Sequence, residues 1–323
     1  MPNMYEAYPW QKEMHESKAK IKFVQAGRRA GKTRSALQEA LRQIREASIN
    51  PVQFPGKGEK LTAEQAGLVP PIHIWTVAPT RAQMMQVWNE MQAFIPKHIV
   101  RKTRTKAQGG GRGGGFKQDD LHVWLDLKDE KGNWLPNRWR HSVFWELKSA
   151  DNPEGLQTVG LDFLHMAESQ DIKEAAWNKV RPTLNSPGRL GRAIVEGVPP
   201  ESSQHWFARN YKMAKENPSE RRQSFHASTF DNPYLTEDDR LEIEEEKGSL
   251  TEGIWERFYM AKQPEGAGNF FRNITKAYSG GAYEMMAPVE GEKYVAGLDI
   301  GRSNDPTVLV IKNRITRTSV FAV

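Results

Sequence analysis

Residues 21–26 read IKFVQA, residues 27–33 read GRRAGKT, and from Ala36 onward Leu37, Ala40, Leu41 and Ile44 recur at helical spacing. A short apolar run bounded by glycine predicts a buried strand, and the period that follows predicts a helix with one apolar face. A strand that feeds a helix through a tight turn is half of a βαβ unit, so this junction points to an α/β chain built on a parallel sheet. The rhythm repeats. IHIWTVAPT (72–80) predicts a second strand, and Ala82, Met85, Val87, Trp88 and Met91 a helix after it. LHVWLDL and HSVFWEL, then LDFLHMAESQDI (161–172) and RAIVEGVPP (192–200), predict further strands. The stretch from Tyr234 to Lys262 predicts helix, and KYVAGLDIGRSNDPTVLVIK predicts strand, turn and strand. Residues 51–71, rich in Pro, Gly and charge, predict a surface loop, and 264–292 a linker.

Composition narrows the chemistry. The chain has 323 residues and is 38% hydrophobic, but 10 Trp and 13 Phe give bulk enough for a core. No run approaches the roughly 18 apolar residues of a membrane span, so no membrane partner is expected. The first residues, MPNMYEAYPWQKEMHESK, lack the apolar stretch of a secretory signal. With no cysteine, disulfides, thiolate metal sites and thiol catalysis are excluded. The net charge of +6, from 46 Lys+Arg against 40 Asp+Glu, matters less than its distribution. Residues 97–118 hold Lys97, Arg101, Lys102, Arg104, Lys106, Arg112 and Lys117 and no acid. Such a segment suits a phosphate backbone; its plainer reading is a solvated loop.

Ala26–Thr33 reads A-G-R-R-A-G-K-T, against the phosphate-loop pattern G-x-x-x-x-G-K-[ST]. Gly31, Lys32 and Thr33 match, and Ala26 replaces the first glycine. The pattern works because backbone N–H groups at a helix N-terminus wrap phosphate oxygens. Gly27, Arg28, Arg29, Ala30 and Gly31 would form the cradle. Lys32 would reach the β- and γ-phosphates, and Thr33 would offer its hydroxyl to the Mg²⁺ that accompanies ATP.

An arginine-bearing phosphate loop of this form resembles that of the large terminase subunits of tailed bacteriophages, DNA-packaging ATPases joined to a nuclease. Other segments fall in the family's order. Tyr8-Pro9-Trp10-Gln11 resembles the adenine-binding segment, which implies that Gln11 reads the adenine edge and Trp10 packs on it. Thr76–Thr80 and Gly197-Val198-Pro199 resemble the coupling motifs, Ser149–Pro153 and Arg181–Leu184 the segments flanking the acidic strand, and Phe230–Tyr234 the start of the helical lid. Arg28 matches a cis-acting arginine for the transferring phosphoryl group. Phe163-Leu164-His165-Met166 followed by Ala167-Glu168 resembles the acidic strand, with Glu168 as the residue that activates water. Ala167 stands where a metal-side aspartate belongs. Asp162 is about 17 Å away along a strand, at the wrong end, while Asp171 lies on the correct side. Either Thr33 and water hold Mg²⁺, or that aspartate has been replaced. Gly297–Gly301 with Asp305-Pro306-Thr307 resembles the first strand and turn of an RNase H-type nuclease, in which Asp299 would ligate a catalytic metal.

The resemblance implies an α/β P-loop NTPase of the RecA-like (ASCE) type with a mostly parallel central sheet, a small helical lid and the first hairpin of an RNase H-like domain. The expected boundaries are 1–205 for the ATPase core, 206–265 for the lid, 266–290 for a linker and 291–323 for the start of the nuclease. The expected activity is ATP hydrolysis that drives double-stranded viral DNA into a procapsid in the host cytoplasm, without nuclease activity from this length of chain. The implied partners are DNA, the portal of the procapsid, a small terminase subunit and further copies of the chain in a ring, with a monomer in isolation as the alternative. A helicase-like ATPase and a hydrolysis-impaired nucleotide-binding assembly module are the competing readings.

Overall fold

The computed structural model describes residues 5–49, 71–101, 116–118, 120–127, 142–157, 159–263, 289–299, 308–316 and 319–322. Two units are distinguished, residues 1–268 and 269–323. The predicted loop at 51–71 lies almost wholly outside the described residues, as do most of the predicted linker and positions 102–115 of the basic segment.

The first unit is built on an eight-stranded sheet. In chain order its strands are β1 (Ile21–Ala26), β2 (Ile72–Ala78), β3 (Phe116–Lys117), β4 (His122–Asp126), β5 (Ser142–Ser149), β6 (Phe163–Met166), β7 (Arg192–Gly197) and β8 (Arg222–Ala227). Their spatial order is β3-β4-β5-β2-β6-β7-β1-β8. From β5 to β8 every pairing is parallel, and the β3–β4 and β4–β5 pairs are antiparallel. The mostly parallel sheet is the one the sequence predicts.

Helices cover both faces, which is why the central strands read as continuous apolar runs rather than alternating ones. On one face pack α1 (Pro9–Glu16), α2 (Lys32–Ile49) and α3 (Arg81–Phe94). They supply Trp10, Met14, Ala36, Leu37, Ala40, Ile44, Val87 and Trp88 to a core shared with Val24, Ile74, Phe163, Ala167 and Ile194 of the sheet side. On the other face lie α4 (Glu174–Val180) and α5 (Trp206–Glu216). There Phe23, Leu164, Met166 and Val195 meet Trp177, Trp206 and Phe207. The Trp177 and Trp206 rings stack at 5.2 Å. Neighbours in sequence such as Phe23 and Val24 enter opposite cores, as the two-residue period of a strand requires.

The expected boundary at 205 does not follow the sheet. β8 pairs with β1 in parallel along its length, from Ile21 opposite Arg222 to Ala26 opposite Ala227, and α5 packs beneath it. Residues 206–227 therefore belong to the core. RQSFHA gives no strand pattern because β8 is an edge strand, in which only Phe225 and Ala227 are buried. Beyond it come a short 3-10 turn (Thr229–Asp231), α6 (Glu237–Lys247) and α7 (Glu252–Phe258). Thr236 caps α6 by accepting from the Asp239 N–H, and Thr251 caps α7 by accepting from Ile254.

The second unit holds β9 (Tyr294–Asp299), β10 (Val308–Asn313) and β11 (Ser319–Ala322) in an antiparallel sheet of order β11-β10-β9. The two predicted strands are present, with Asp299 opposite Val308, and the predicted turn between them lies outside the described residues. Of the apolar residues beside Asp299, Val295 is 51% and Leu298 60% exposed. The side chain of Asp299 lies outside the described residues.

Candidate functional site

The site sits at the carboxyl ends of β1, β6 and β7, where parallel α/β sheets place their ligands. The turn after β1 holds two residues in the left-handed region, Arg29 at φ 57 and Gly31 at φ 82. Gly31 needs to be glycine on a second count, because a Cβ there would come within 2.8 Å of Gln11 Nε2. Gly27 is required by close approach: a Cβ would lie 2.6 Å from Thr229 N, Thr229 Oγ1 and Tyr259 O.

The turn is held from outside as well as within. Gly27 N donates to Ala227 O (2.9 Å) and Arg28 N to Phe258 O (2.7 Å). Thr229 Oγ1 donates to Arg28 O (2.7 Å) and Asn232 Nδ2 to Arg29 O (2.8 Å). The second of these fixes the carbonyl of the strained Arg29. The ends of β8 and α7 thus clasp the loop, a role that the sequence reading gave to none of these residues. Lys32, buried, donates from Nζ to Gly27 O at 3.0 Å.

A cavity of about 870 Å³ opens beside the loop. It is lined by Arg28, Arg29, Gly31, Lys32 and Thr33 of the loop, Glu168 and Asp171 of the segment after β6, and Arg257 and Phe258 of α7, among others. Ala30, by contrast, is fully buried in the core. Arg28, Lys32 and Thr33 of the loop and Glu168 of the acidic strand, predicted from two segments, are thereby brought together. Arg28 lies over the Phe258 ring at 3.9 Å from its centroid, and Arg257 over the same ring at 4.8 Å. Arg257 is itself anchored by donating to Pro199 O (2.6 Å) and Glu201 (2.9 Å).

Glu168 follows β6 at φ 50 and accepts from Gln170 Nε2 (2.8 Å). Gln170 Oε1 accepts from Val198 N (3.2 Å), so one amide joins the acidic turn to the turn after β7. Burial pushes the Glu168 carboxyl up from its ordinary value and Glu196 adds to the rise, against the pull of Lys32. Asp162 is at the other end of the sheet, paired with Arg189 at 2.7 Å and accepting from His73 N. It has no part in the site.

A second, smaller hollow of about 340 Å³ lies on the far side of Gly31, lined by Tyr5, Glu6, Tyr8, Gln11, Arg34 and Tyr234 besides. Gln11 Nε2 donates to Gly31 O (3.3 Å), and its Oε1 accepts from Tyr8 N (3.0 Å) and Tyr5 Oη (2.9 Å). Gln11 thus borders this hollow with both ends of its amide engaged by the protein. Trp10 is not its aromatic partner. It is buried in the core, among residues that pack beneath the sheet, and its Nε1 has no hydrogen-bond partner. The aromatic walls are Tyr8 and Tyr234, whose ring centroids are 5.8 Å apart. Pro9 opens α1, so Trp10 and Met14 fall at i and i+4 on its inward face.

Under the loop, Glu39 of α2 accepts from Lys22 Nζ (2.7 Å) and Gln43 Nε2 (2.8 Å) and meets His15 Nδ1 at 2.6 Å, while Tyr5 Oη joins His15 to Gln11. Burial raises the Glu39 carboxyl, but the His15 and Lys22 hydrogen bonds prevail and hold it at about 2. This chain of contacts ties the Gln11 hollow to the floor of β1.

The donors fit a hard cation accompanying phosphates better than a dedicated metal cage. Among the described residues no three of His, Cys, Asp and Glu gather as a metal-binding group. Thr33 Oγ1 instead stands at the first turn of α2, 3.4 Å from a carboxylate oxygen of buried Glu196 whose other oxygen has no partner. Of the basic segment, Arg101 is already paired with Asp126 (2.8 Å) and lies over Trp124, so it is not free for a phosphate backbone. No helix among the described residues is long and apolar enough to cross a membrane.

No protein-family model and no curated protein sequence matches the chain. Solved structures do. The ATPase domain of the large terminase of Thermus phage P74-26 aligns with a TM-score of 0.55 and 20% identity over 80% of this chain and 94% of that one. The large terminase of the thermophilic bacteriophage D6E, in complex with ADP, aligns with a TM-score of 0.53 and 12% identity over 95% of this chain. That of bacteriophage HK97 aligns with 0.53 and 16% over 96% of it. The chain spans 65% of the D6E protein and 60% of the HK97 protein. Its structural neighbours are phage large terminases, and its first unit has the mixed α/β, RecA-like fold of their ATPase domain.

Proposed function

We propose that the chain is the ATP-hydrolysing subunit of a motor that moves double-stranded viral DNA into a procapsid. One observation carries this reading: Lys32, Thr33, Arg28 and Glu168 line a single cavity at the switch region of a RecA-like sheet. The ADP complex of the D6E terminase supports the choice of ligand.

In this reading ATP lies with its phosphates on the Gly27–Thr33 backbone and its base in the hollow of Gln11, Tyr8 and Tyr234. Lys32 leaves the Gly27 carbonyl for the phosphates. Glu168, kept more basic by burial, accepts a proton from water at its carboxylate. Arg28 stabilises charge on the transferring phosphoryl group. Thr33 would help to hold the Mg²⁺ that accompanies ATP, which would supply neutralisation of phosphate charge. Because Thr229, Asn232 and Phe258 hold the loop carbonyls and N–H groups, a loop that closes on phosphate shifts the α6–α7 region, which gives the motor its stroke. DNA, the portal and a small terminase subunit are the partners, in a ring of identical chains in the host cytoplasm. The remaining cations of residues 97–118 are the proposed contact with DNA phosphates.

The decisive assay is turnover of ATP with Mg²⁺ by the purified chain and by Glu168→Gln, which should lower kcat by about 10²-fold or more. Equal turnover by the two would overturn the catalytic assignment. Stimulation by single strands with unwinding of duplex would replace this reading with the helicase one.

A further inference from the structure

Ala167 leaves the acidic strand without its metal-side carboxylate, yet the level it occupies is not without a carboxylate. Resting on the nucleotide site proposed above, we infer that Glu196 of β7 supplies the metal-side carboxylate in place of residue 167.

The register carries the inference. β6 and β7 pair in parallel with Phe163 opposite Arg192, His165 opposite Ile194 and Met166 opposite Val195, which sets Ala167 level with Glu196 one strand over. Alternation puts Phe163, His165 and Ala167 on the α2 face of the sheet together with Ile194 and Glu196. Glu196 therefore projects on the same side as the missing aspartate, toward the start of α2.

Its surroundings are those of a working group rather than a filler. Glu196 is fully buried. One carboxylate oxygen is 3.4 Å from Thr33 Oγ1 and 3.2 Å from His165 Nε2; the other has no hydrogen-bond partner. An unpaired buried carboxylate oxygen is costly unless it is met by a donor or a cation. The neighbouring acids sharpen the point. Glu168 and Glu90 both have carboxyls raised by burial and, next, by Glu196. The partnerless oxygen of Glu196 is thus close to the Thr33 hydroxyl, where a divalent cation that arrives with the nucleotide would meet it.

The same geometry explains why alanine is tolerated at 167. Asp at that position would set a second carboxylate beside Glu196 in the same dry pocket, where like charges repel. The acid has moved by one strand, and the vacated position carries a side chain small enough to leave it room. His165, whose Nδ1 is without a partner, orients Glu196 from below.

The test is binding of a fluorescent ATP analogue in EDTA and in Mg²⁺ by the parent chain, Glu196→Gln and Ala167→Asp/Glu196→Gln. Glu196→Gln should bind as the parent does in EDTA but lose about tenfold or more of the gain that Mg²⁺ brings, in line with second-sphere carboxylates at other metal sites. The double variant, which returns the acid to β6, should recover it. Full retention of the Mg²⁺ gain in Glu196→Gln overturns the inference and leaves the nucleotide site standing. Absence of nucleotide binding by the parent in either buffer overturns both. Crystals of the parent with Mn²⁺ and a non-hydrolysable ATP analogue give an answer without any variant. Anomalous density whose water shell reaches Glu196 supports the assignment, and a shell reaching only Thr33 and Asp171 overturns it.

Discussion

The guanidinium of Arg28 lies 3.9 Å from the centre of the Phe258 ring, so an arginine of the phosphate loop is parked on the last residue of α7. Arg257 approaches the same ring from its own anchor on Pro199 and Glu201, which fixes the ring against the turn after β7. Arg28 is exposed, and an arginine–aromatic contact in such a place is worth about 0.5–1 kcal/mol. Phe258→Ala should therefore lower kcat for ATP by roughly 2–5-fold with little change in KM, since it unseats Arg28 without touching the phosphates. Arg28→Ala should cost about 10³-fold, as removal of an arginine from a transferring phosphoryl group does elsewhere. The double variant should match Arg28→Ala alone, because residues in one contact do not add. Additive losses would show that Phe258 acts elsewhere.

Gly27 tests whether the clasp by β8 and α7 matters. An added methyl would meet backbone atoms of Thr229 and Tyr259 at 2.6 Å, and neither can step aside alone. Gly27→Ala should destabilise the unit by about 1–3 kcal/mol, the usual cost of forced overpacking. Chemical denaturation measures it; unchanged stability would mean that the contact is loose in solution.

The first half of the site is legible in the sequence because it is local. Strand, GRRAGKT and amphipathic helix follow one another without a gap, and each element announces its own period. What could not be read comes from sequence-distant strands meeting at one end of the sheet. Thr229 and Asn232 reach the loop only because β8 pairs with β1, and that strand carries little apolar signal at the sheet edge. Glu196 looks like an ordinary polar residue before a glycine until the β6–β7 register sets it beside Ala167. The core position of Trp10, by contrast, is legible in its neighbours. Pro9 marks a helix start, and Trp10 and Met14 then share a face, which is the pattern of a core and not of a ligand wall.

Trp10→Phe should leave ATP affinity within about twofold, since the indole nitrogen makes no hydrogen bond and the ring serves packing. Tyr234→Ala, which removes an exposed wall of the Gln11 hollow, should weaken ATP by about 5–10-fold through lost stacking. Calorimetric titration with ATP and with triphosphate alone separates base from phosphate contacts. The opposite ranking would restore Trp10 to the adenine.

The His15–Glu39–Lys22 cluster should be a stability device. Removing the charge of Glu39 leaves buried Lys22 without its counter-ion, and breaking such a pair costs about 3–5 kcal/mol, so Glu39→Gln should lose that much at pH 7. In the folded chain the Glu39 carboxyl is held at about 2, below its unfolded 4.5. A depressed acid stabilises above its unfolded value, and that stability drains as pH falls from 4.5 toward 2. The gap between parent and Glu39→Gln should narrow over that window. Urea titrations at pH 7, 4 and 3 check it, and a constant gap would show that the loss is one of packing.

Glu168 should behave in the opposite sense. Its carboxyl is raised, first by burial and then by Glu196, so its charge costs stability above the unfolded value of 4.5 and the cost grows as pH rises through the folded value. Glu168→Gln removes the charge and should raise Tm at neutral pH, by roughly 2–4 °C for each kcal/mol regained, while it lowers kcat by about 10²-fold or more. In the parent, a base with a raised carboxyl stops working at a higher pH than an ordinary glutamate. The acid limb of kcat should therefore fall above 4.5. A pH–rate profile with the limb at or below 4.5, together with a lower Tm for Glu168→Gln, would remove Glu168 from the role of base and return it to the frame of the β6 turn.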